Sequence, residues 1–163
     1  MSGRAPVLVL AVGNPSRGDD AIGPELSARL EAAAVPGVEV VDEFQLQVEN
    51  ALDLEGRELV VFIDAGMDTP APFELRDVGP DADFVHTTHA LSPEAVLATY
   101  VRVRGEAPPR SVVLCVRGES FELGEPLSPA AVANVDAAWP RLLELCRGAG
   151  RGPTAGRAAY SAT

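Results

Sequence analysis

The chain contains 163 residues, which is enough for one domain with a sizeable core and too few for two full domains. Hydrophobic residues make up 47% of the chain and aromatic residues 5%, so the composition excludes a disordered chain of low hydrophobicity and a coiled coil. Because 13 basic residues face 24 acidic ones, the net charge of -11 repels phosphate backbones and anionic lipid. Nucleic acid and membrane surfaces are therefore excluded as expected partners.

The types of basic and sulfur-containing residue narrow the chemistry further. All basic residues are arginine, and the absence of lysine excludes a P-loop lysine, a Schiff base and a serine-lysine dyad. Cys115 and Cys146 lie far apart in apolar stretches without metal-binding spacing. We interpret both as buried free thiols, which fits a reducing cytoplasm.

Predicted strands and helices alternate along the chain. Apolar runs typical of buried strands cover residues 6–12, 38–41, 59–63 and 111–116. Apolar residues with helical spacing cover residues 24–34, 49–54, 91–104 and 128–146. Residues 73–78 alternate in polarity and favour an edge strand that can pair antiparallel.

This order predicts an α/β fold, a three-layer α/β/α sandwich around a mostly parallel, twisted sheet of about five strands. We expect one domain over residues 1–147. Residues 148–163 are rich in glycine, alanine and serine and have no apolar period, which predicts a disordered tail.

Residues suited to chemistry follow the predicted buried strands. Asp19 and Asp20 come after the first strand, Asp64 directly ends the third, and His86 and His89 precede the helix at residue 91. Ligands of open parallel sheets bind beyond the carboxyl ends of the strands, so these side chains can meet at one edge. Two carboxylates and one imidazole suit a divalent ion such as nickel, zinc or manganese, and three ligands leave coordination positions open.

Each of these residues also has a purely structural explanation. Asp19 or Asp20 can stabilise a helix N-terminus, and Asp64 can accept hydrogen bonds from loop amides. Nucleophile motifs are weaker: Ser120 lacks the second glycine of a nucleophile elbow, and neither cysteine has a histidine nearby in sequence. The HExxH and GxGxxG motifs are absent.

Four segments together resemble one protein family. They are VLVLAVGNPSRGDDAIGPEL, LVVFIDA, THALSPEAVL and GESFELGEPLSP. Over residues 5–147 the sequence resembles the nickel-iron hydrogenase maturation endopeptidases, which remove a C-terminal extension from the hydrogenase large subunit after nickel insertion. The resemblance implies the large-subunit precursor as partner, nickel carried by that substrate and no tightly bound organic cofactor. For the protein itself we expect a cytoplasmic monomer.

The resemblance also implies roles for individual residues. The metal-contacting and catalytic positions of the family fall on Asp20, Asp64 and His89, which leaves His86 as an ordinary loop residue.

The sequence departs from the family after the second predicted strand. Many members carry a DGGTxG loop for substrate recognition, whereas this chain reads DEFQLQVENAL from Asp42. We expect substrate contacts at Glu43, Gln45 and Gln47.

Two mechanisms and two other functions stay open at this point. The metal can polarise the scissile carbonyl or activate a water, or it can position the bond while Asp20 or Asp64 acts as general base. The other functions are a nickel-dependent chaperone or metal-binding module for the large subunit, and a hydrolase of small molecules.

Overall fold

The computed structural model describes residues 3–81 and 91–148. In this part of the chain the strands are β1 (Val7–Val12), β2 (Val38–Glu43), β3 (Leu59–Gly66), β4 (Phe73–Asp77) and β5 (Arg110–Arg117). The α-helices are α1 (Ile22–Ala33), α2 (Pro93–Arg104) and α3 (Pro129–Gly148). Two 3-10 helices are η1 (Gly18–Ala21) and η2 (Val48–Leu54).

The five strands form one sheet in the order β2-β1-β3-β5-β4. The first four strands of this order pair in parallel, and β4 pairs antiparallel with β5 at one edge, which confirms the predicted edge strand. β3 is longer than predicted, because backbone pairing with β5 continues through Asp64 and Gly66 although the apolar run ends at Ile63. The carboxyl ends of the four parallel strands therefore share one edge of the sheet.

Alternation of side chains along the buried strands builds two cores. Val7 and Val9 of β1 pack in the core beneath α1 and α3, while Leu8 and Leu10 pack on the opposite face with residues of α2 and η2. This arrangement confirms the predicted three layers. None of the helices in residues 3–81 and 91–148 is long and apolar enough to cross a membrane.

Two phenylalanines test the assignment of core and surface. Phe62 on β3 is 1% exposed, whereas Phe44 just after β2 is 69% exposed. We expect Phe62→Ala to lower the free energy of unfolding by about 3–5 kcal/mol, because it leaves a cavity in the core. Phe44→Ala should change it by less than about 0.5 kcal/mol. Urea unfolding followed by circular dichroism measures both, and equal effects would contradict the assignment.

Candidate active site at the carboxyl edge of the sheet

The loop after β1 turns back on itself and brings Asp20 to the end of the strand. The backbone amide of Asn14 donates to Oδ2 of Asp20 at 2.7 Å. Gly13 makes this turn possible: its φ is 151°, and a Cβ atom there would lie 2.0 Å from the Asp20 carbonyl oxygen. Asp20 is half-buried, so its carboxylate remains partly accessible at the edge of the sheet.

Asp19 points the other way and is completely buried. Its carboxylate accepts hydrogen bonds from the backbone amides of Glu119 at 2.7 Å, Ser120 at 3.2 Å and Ser128 at 2.7 Å. The Ser128 hydroxyl donates a fourth, at 2.7 Å. The structure thus separates the two neighbouring acids: Asp19 ties the β1 loop to the segment between β5 and α3, and Asp20 stays half-buried at the edge of the sheet.

The hydrogen bonds decide the ionisation of Asp19. Burial by itself raises the pKa of this carboxyl, but the bonds from Ser128, Glu119 and Ser120 outweigh burial and bring the pKa below its ordinary value of 3.8. Asp19 is therefore a buried anion held by its donors. The Ser128 hydroxyl also accepts from the amide of Ala131, so the same cluster fixes the start of α3.

Asp64 lies where β3 reaches the carboxyl edge, next to the end of β1. Its Oδ1 accepts from the backbone amide of Ala65 at 2.8 Å, and Asp64 itself is exposed. Desolvation by the surrounding protein raises the pKa of Asp64 to about 6; the Ala65 amide opposes this rise, and the negative charge of Asp20 adds to it. Ala11 and Ile63 pair in register, so the strand ends that lead to the Asp20 loop and to Asp64 are neighbours at this edge.

The third predicted ligand, His89, lies outside the described residues, as does His86. The described residue nearest to His89 in sequence is Leu91, whose amide donates to the Leu46 carbonyl at 3.1 Å. Leu91 packs with Val60 and Phe62 in the core. These two residues lie on the same face of β3 as Asp64. Among residues 3–81 and 91–148, no three His, Cys, Asp or Glu side chains are grouped so that they could hold a metal ion.

The predicted substrate residues after β2 differ in their surroundings. The Glu43 carboxylate accepts from Asn50 of η2 at 3.1 Å, so it faces η2. Gln45 is exposed. Gln47 caps η2 reciprocally with Asn50, whose side chain accepts from the Gln47 amide at 2.8 Å. Two of the three side chains thus have structural roles, and their contact with substrate stays a prediction.

The structure does not favour Cys115 or Ser120 as a nucleophile. Cys115 is paired in register with Asp64, and burial raises the pKa of its thiol, with a further increase from the Asp64 charge. A nucleophilic cysteine requires the opposite shift. The Ser120 hydroxyl donates to Glu125 at 3.1 Å and belongs to the segment held by Asp19. Both cysteines are free, as predicted, but Cys115 is only half-buried, whereas Cys146 is buried as predicted.

Comparison with known proteins addresses the fold and the family. No protein-family model matches the chain, and no curated protein matches it significantly. Solved structures do match. The hydrogenase maturating endopeptidase HybD from Escherichia coli is 26% identical with a TM-score of 0.70, over 88% of this chain and 93% of that chain. The hydrogenase 2 maturation peptidase from a Thaumarchaeota archaeon is 25% identical with a TM-score of 0.63, over 85% and 96%.

The chain shares the fold of the NiFe hydrogenase maturation proteases, the family that its sequence resembles. A third structure, the maturation protease HycI from Thermococcus kodakarensis, shares the fold with a TM-score of 0.64 at 23% identity, over 90% of this chain and 95% of that chain. The α/β architecture of the chain matches this family, which confirms the resemblance seen in the sequence.

The Asp19 cluster yields a stability prediction. Asp19→Asn replaces an anion by an amide whose NH2 group faces other donors, so we expect the free energy of unfolding at pH 7 to fall by about 2–4 kcal/mol. Asp68→Asn, at an exposed aspartate, is the control and should have little effect. Urea titrations measure both variants.

The same variant carries a pH dependence. Because the folded pKa of Asp19 lies below 3.8, its stabilisation is fully present above that pH and disappears as the pH falls through the folded pKa. The difference between wild type and Asp19→Asn should therefore shrink in acid. A difference that stays constant from neutral to acidic pH would contradict the ionised state of Asp19.

Proposed function

We propose that this protein is an endopeptidase that removes the C-terminal extension of a nickel-iron hydrogenase large-subunit precursor. The observation that carries the proposal is the meeting of Asp20 and Asp64 at the carboxyl edge of a sheet whose fold is that of hydrogenase maturation proteases. The precursor's own nickel is the recognition element, and Asp20, Asp64 and His89 complete its coordination.

The electrostatics of the two acids support a cationic substrate centre. Each carboxylate lies in the field of the other, and the like charge of Asp20 contributes to the raised pKa of Asp64. A cation beside them offsets this repulsion and favours the ionised form of Asp64. The enzyme therefore gains interaction energy from precursor that carries metal and little from precursor that lacks it, which makes cleavage conditional on nickel insertion.

The protein's residues have two ways to support hydrolysis. With the nickel activating the carbonyl or a water, Asp20 and Asp64 hold the ion beside the scissile bond. With the nickel only positioning the bond, Asp64 can act as general base, because its pKa of about 6 lies close to neutral pH. We place the reaction in the cytoplasm, which the two free cysteines support, and we propose a monomer that admits a large partner.

The direct test mixes the protein with nickel-loaded and nickel-free large-subunit precursor of the same organism and follows the precursor's mass by spectrometry. We expect loss of the C-terminal extension only from the nickel-loaded form. Nickel-dependent binding without any mass loss would instead support the chaperone or metal-binding module. Neither binding nor cleavage would favour the small-molecule hydrolase.

Variants of the proposed ligands test the site itself. Asp64→Asn should slow cleavage by at least about 100-fold, because a neutral amide is a poorer ligand and no base. Its free energy of unfolding at pH 7 should not fall, because the substitution removes a repulsion with Asp20. His89→Ala should likewise abolish cleavage with little loss of stability.

Glu58→Gln is the matched control, because Glu58 is exposed and precedes β3 at the opposite edge of the sheet. Its cleavage rate should equal that of the wild type. Full processing by Asp64→Asn would remove Asp64 from the mechanism, whatever the stability of the variant.

A further inference from the structure

A groove opens beside the Asp20 loop, on the face of the sheet covered by α1. It measures about 350 Å³ and runs between α1 and the end of β2. Its apolar lining comes from Pro15, Pro24, Ala28 and Phe44, and its charged lining from Glu31 and Asp42.

The groove adjoins the loop that carries Asp20. Gly13 belongs to its lining, and the backbone of Gly13 lies directly against the Asp20 carbonyl. The Gly13 amide also donates to the Glu43 carbonyl at 2.9 Å, which joins the ends of β1 and β2 beneath the groove. The end of the groove at Gly13 and Pro15 therefore lies beside the loop that carries Asp20.

The charge of the groove indicates the chemistry of its occupant. The Glu31 side chain forms no ion pair with any described residue, and Asp42 accepts only the Ser27 hydroxyl, at 3.0 Å. No basic residue belongs to the lining. Two unneutralised carboxylates beside apolar surface complement a peptide that carries basic and apolar side chains.

The aromatic side chain at the mouth of the groove is unusually exposed for its size. Phe44 is 69% exposed at the mouth, where a bound side chain would cover it. Aromatic side chains of this kind anchor peptide ligands, because they bury a large area with little loss of conformational freedom.

We propose that this groove binds the C-terminal extension of the precursor as an extended segment with an apolar side chain against Phe44 and a basic side chain between Glu31 and Asp42. This inference rests on the proposed function and assigns the extension to the α1 face, whereas Glu43 and Gln47 face or cap η2. The specificity of the enzyme for its own precursor then depends on the sequence of the extension as well as on the metal.

The decisive variant fills the groove. Ala28 is exposed on α1, so Ala28→Trp occupies the groove without disturbing the core. Ala33→Trp is the matched control, because Ala33 is equally exposed on the same helix but lies about 140° around its axis. Circular dichroism and thermal melts of both variants verify folding.

Two measurements follow for each variant. The first is the binding of a fluorescent synthetic peptide that covers the extension and its flanking residues. The second is kcat and KM for cleavage of nickel-loaded precursor. We expect Ala28→Trp to weaken peptide binding and raise KM about tenfold or more, with kcat within about twofold. Phe44→Ser should act in the same direction, and Ala33→Trp should match the wild type.

Charge reversal tests the basic side chain. Glu31→Arg should weaken peptide binding about threefold to fivefold, while Glu58→Arg, at an exposed glutamate on the opposite edge, should not. Peptides whose basic residues are replaced by glutamate should bind the wild type less tightly and regain affinity for Glu31→Arg.

The outcomes separate this inference from the proposed function. Cleavage by the wild type together with equal KM values for Ala28→Trp and Ala33→Trp would overturn the groove alone. Groove-dependent peptide binding without cleavage of nickel-loaded precursor would support the groove and overturn the protease. Equal binding of precursor with and without its extension would overturn the assignment of the groove. A gain in peptide affinity on deletion of residues 149–163 would also overturn it, because it would assign the groove to the chain's own tail.

Discussion

Because Asp19 is completely buried and ionised, its carboxylate has to be surrounded by donors, and those donors come from residues 100 to 109 positions further along the chain. This one group therefore fixes the loop after β1 against the segment that leads into α3. The amide of Asp19 donates back to the Ser120 carbonyl at 2.8 Å, and the Gly18 amide donates to the Glu125 carbonyl at 3.0 Å. These hydrogen bonds also fix the position of Asp20, because Asp20 is the next residue in the same turn.

The protein shifts the pKa values of two acids, Asp19 and Asp64, in opposite directions. Asp19 is stabilised by its environment, and its pKa is lowered, whereas Asp64 is held where desolvation and a like charge raise its pKa to about 6. Carboxylates whose pKa is raised by desolvation and a like charge are common at functional sites, where a ligand can restore the lost stabilisation. The edge of the sheet thus combines a rigid anionic support with an unsatisfied anionic pair.

The sequence predicted the layers and the antiparallel edge strand, because both depend on local signals: apolar runs and period-two alternation. The residue pattern alone did not distinguish Asp19 from Asp20, and only the family resemblance pointed to Asp20. The burial of Asp19 depends on donors from Glu119, Ser120 and Ser128, which only the folded chain brings near. The extension of β3 past Ile63 was missed for a similar reason: backbone pairing with β5 outweighs the polarity of the side chains. Ser128 offered one usable signal, as a serine that opens a helix.

The groove shows why the substrate residues are hard to assign from sequence. Successive side chains of a strand point to opposite faces, so neighbours at the end of β2 serve different surfaces. Asp42 and Phe44 line the groove beside α1, while Glu43 between them bonds to Asn50 of η2. A motif after β2 indicates that the segment is near the substrate. The face to which each side chain points decides whether that side chain can touch substrate or supports η2. Glu31 and Asp42, which form no ion pair with a described residue, lie on the α1 face. A basic extension with an apolar side chain would complement their charge and cover the exposed ring of Phe44.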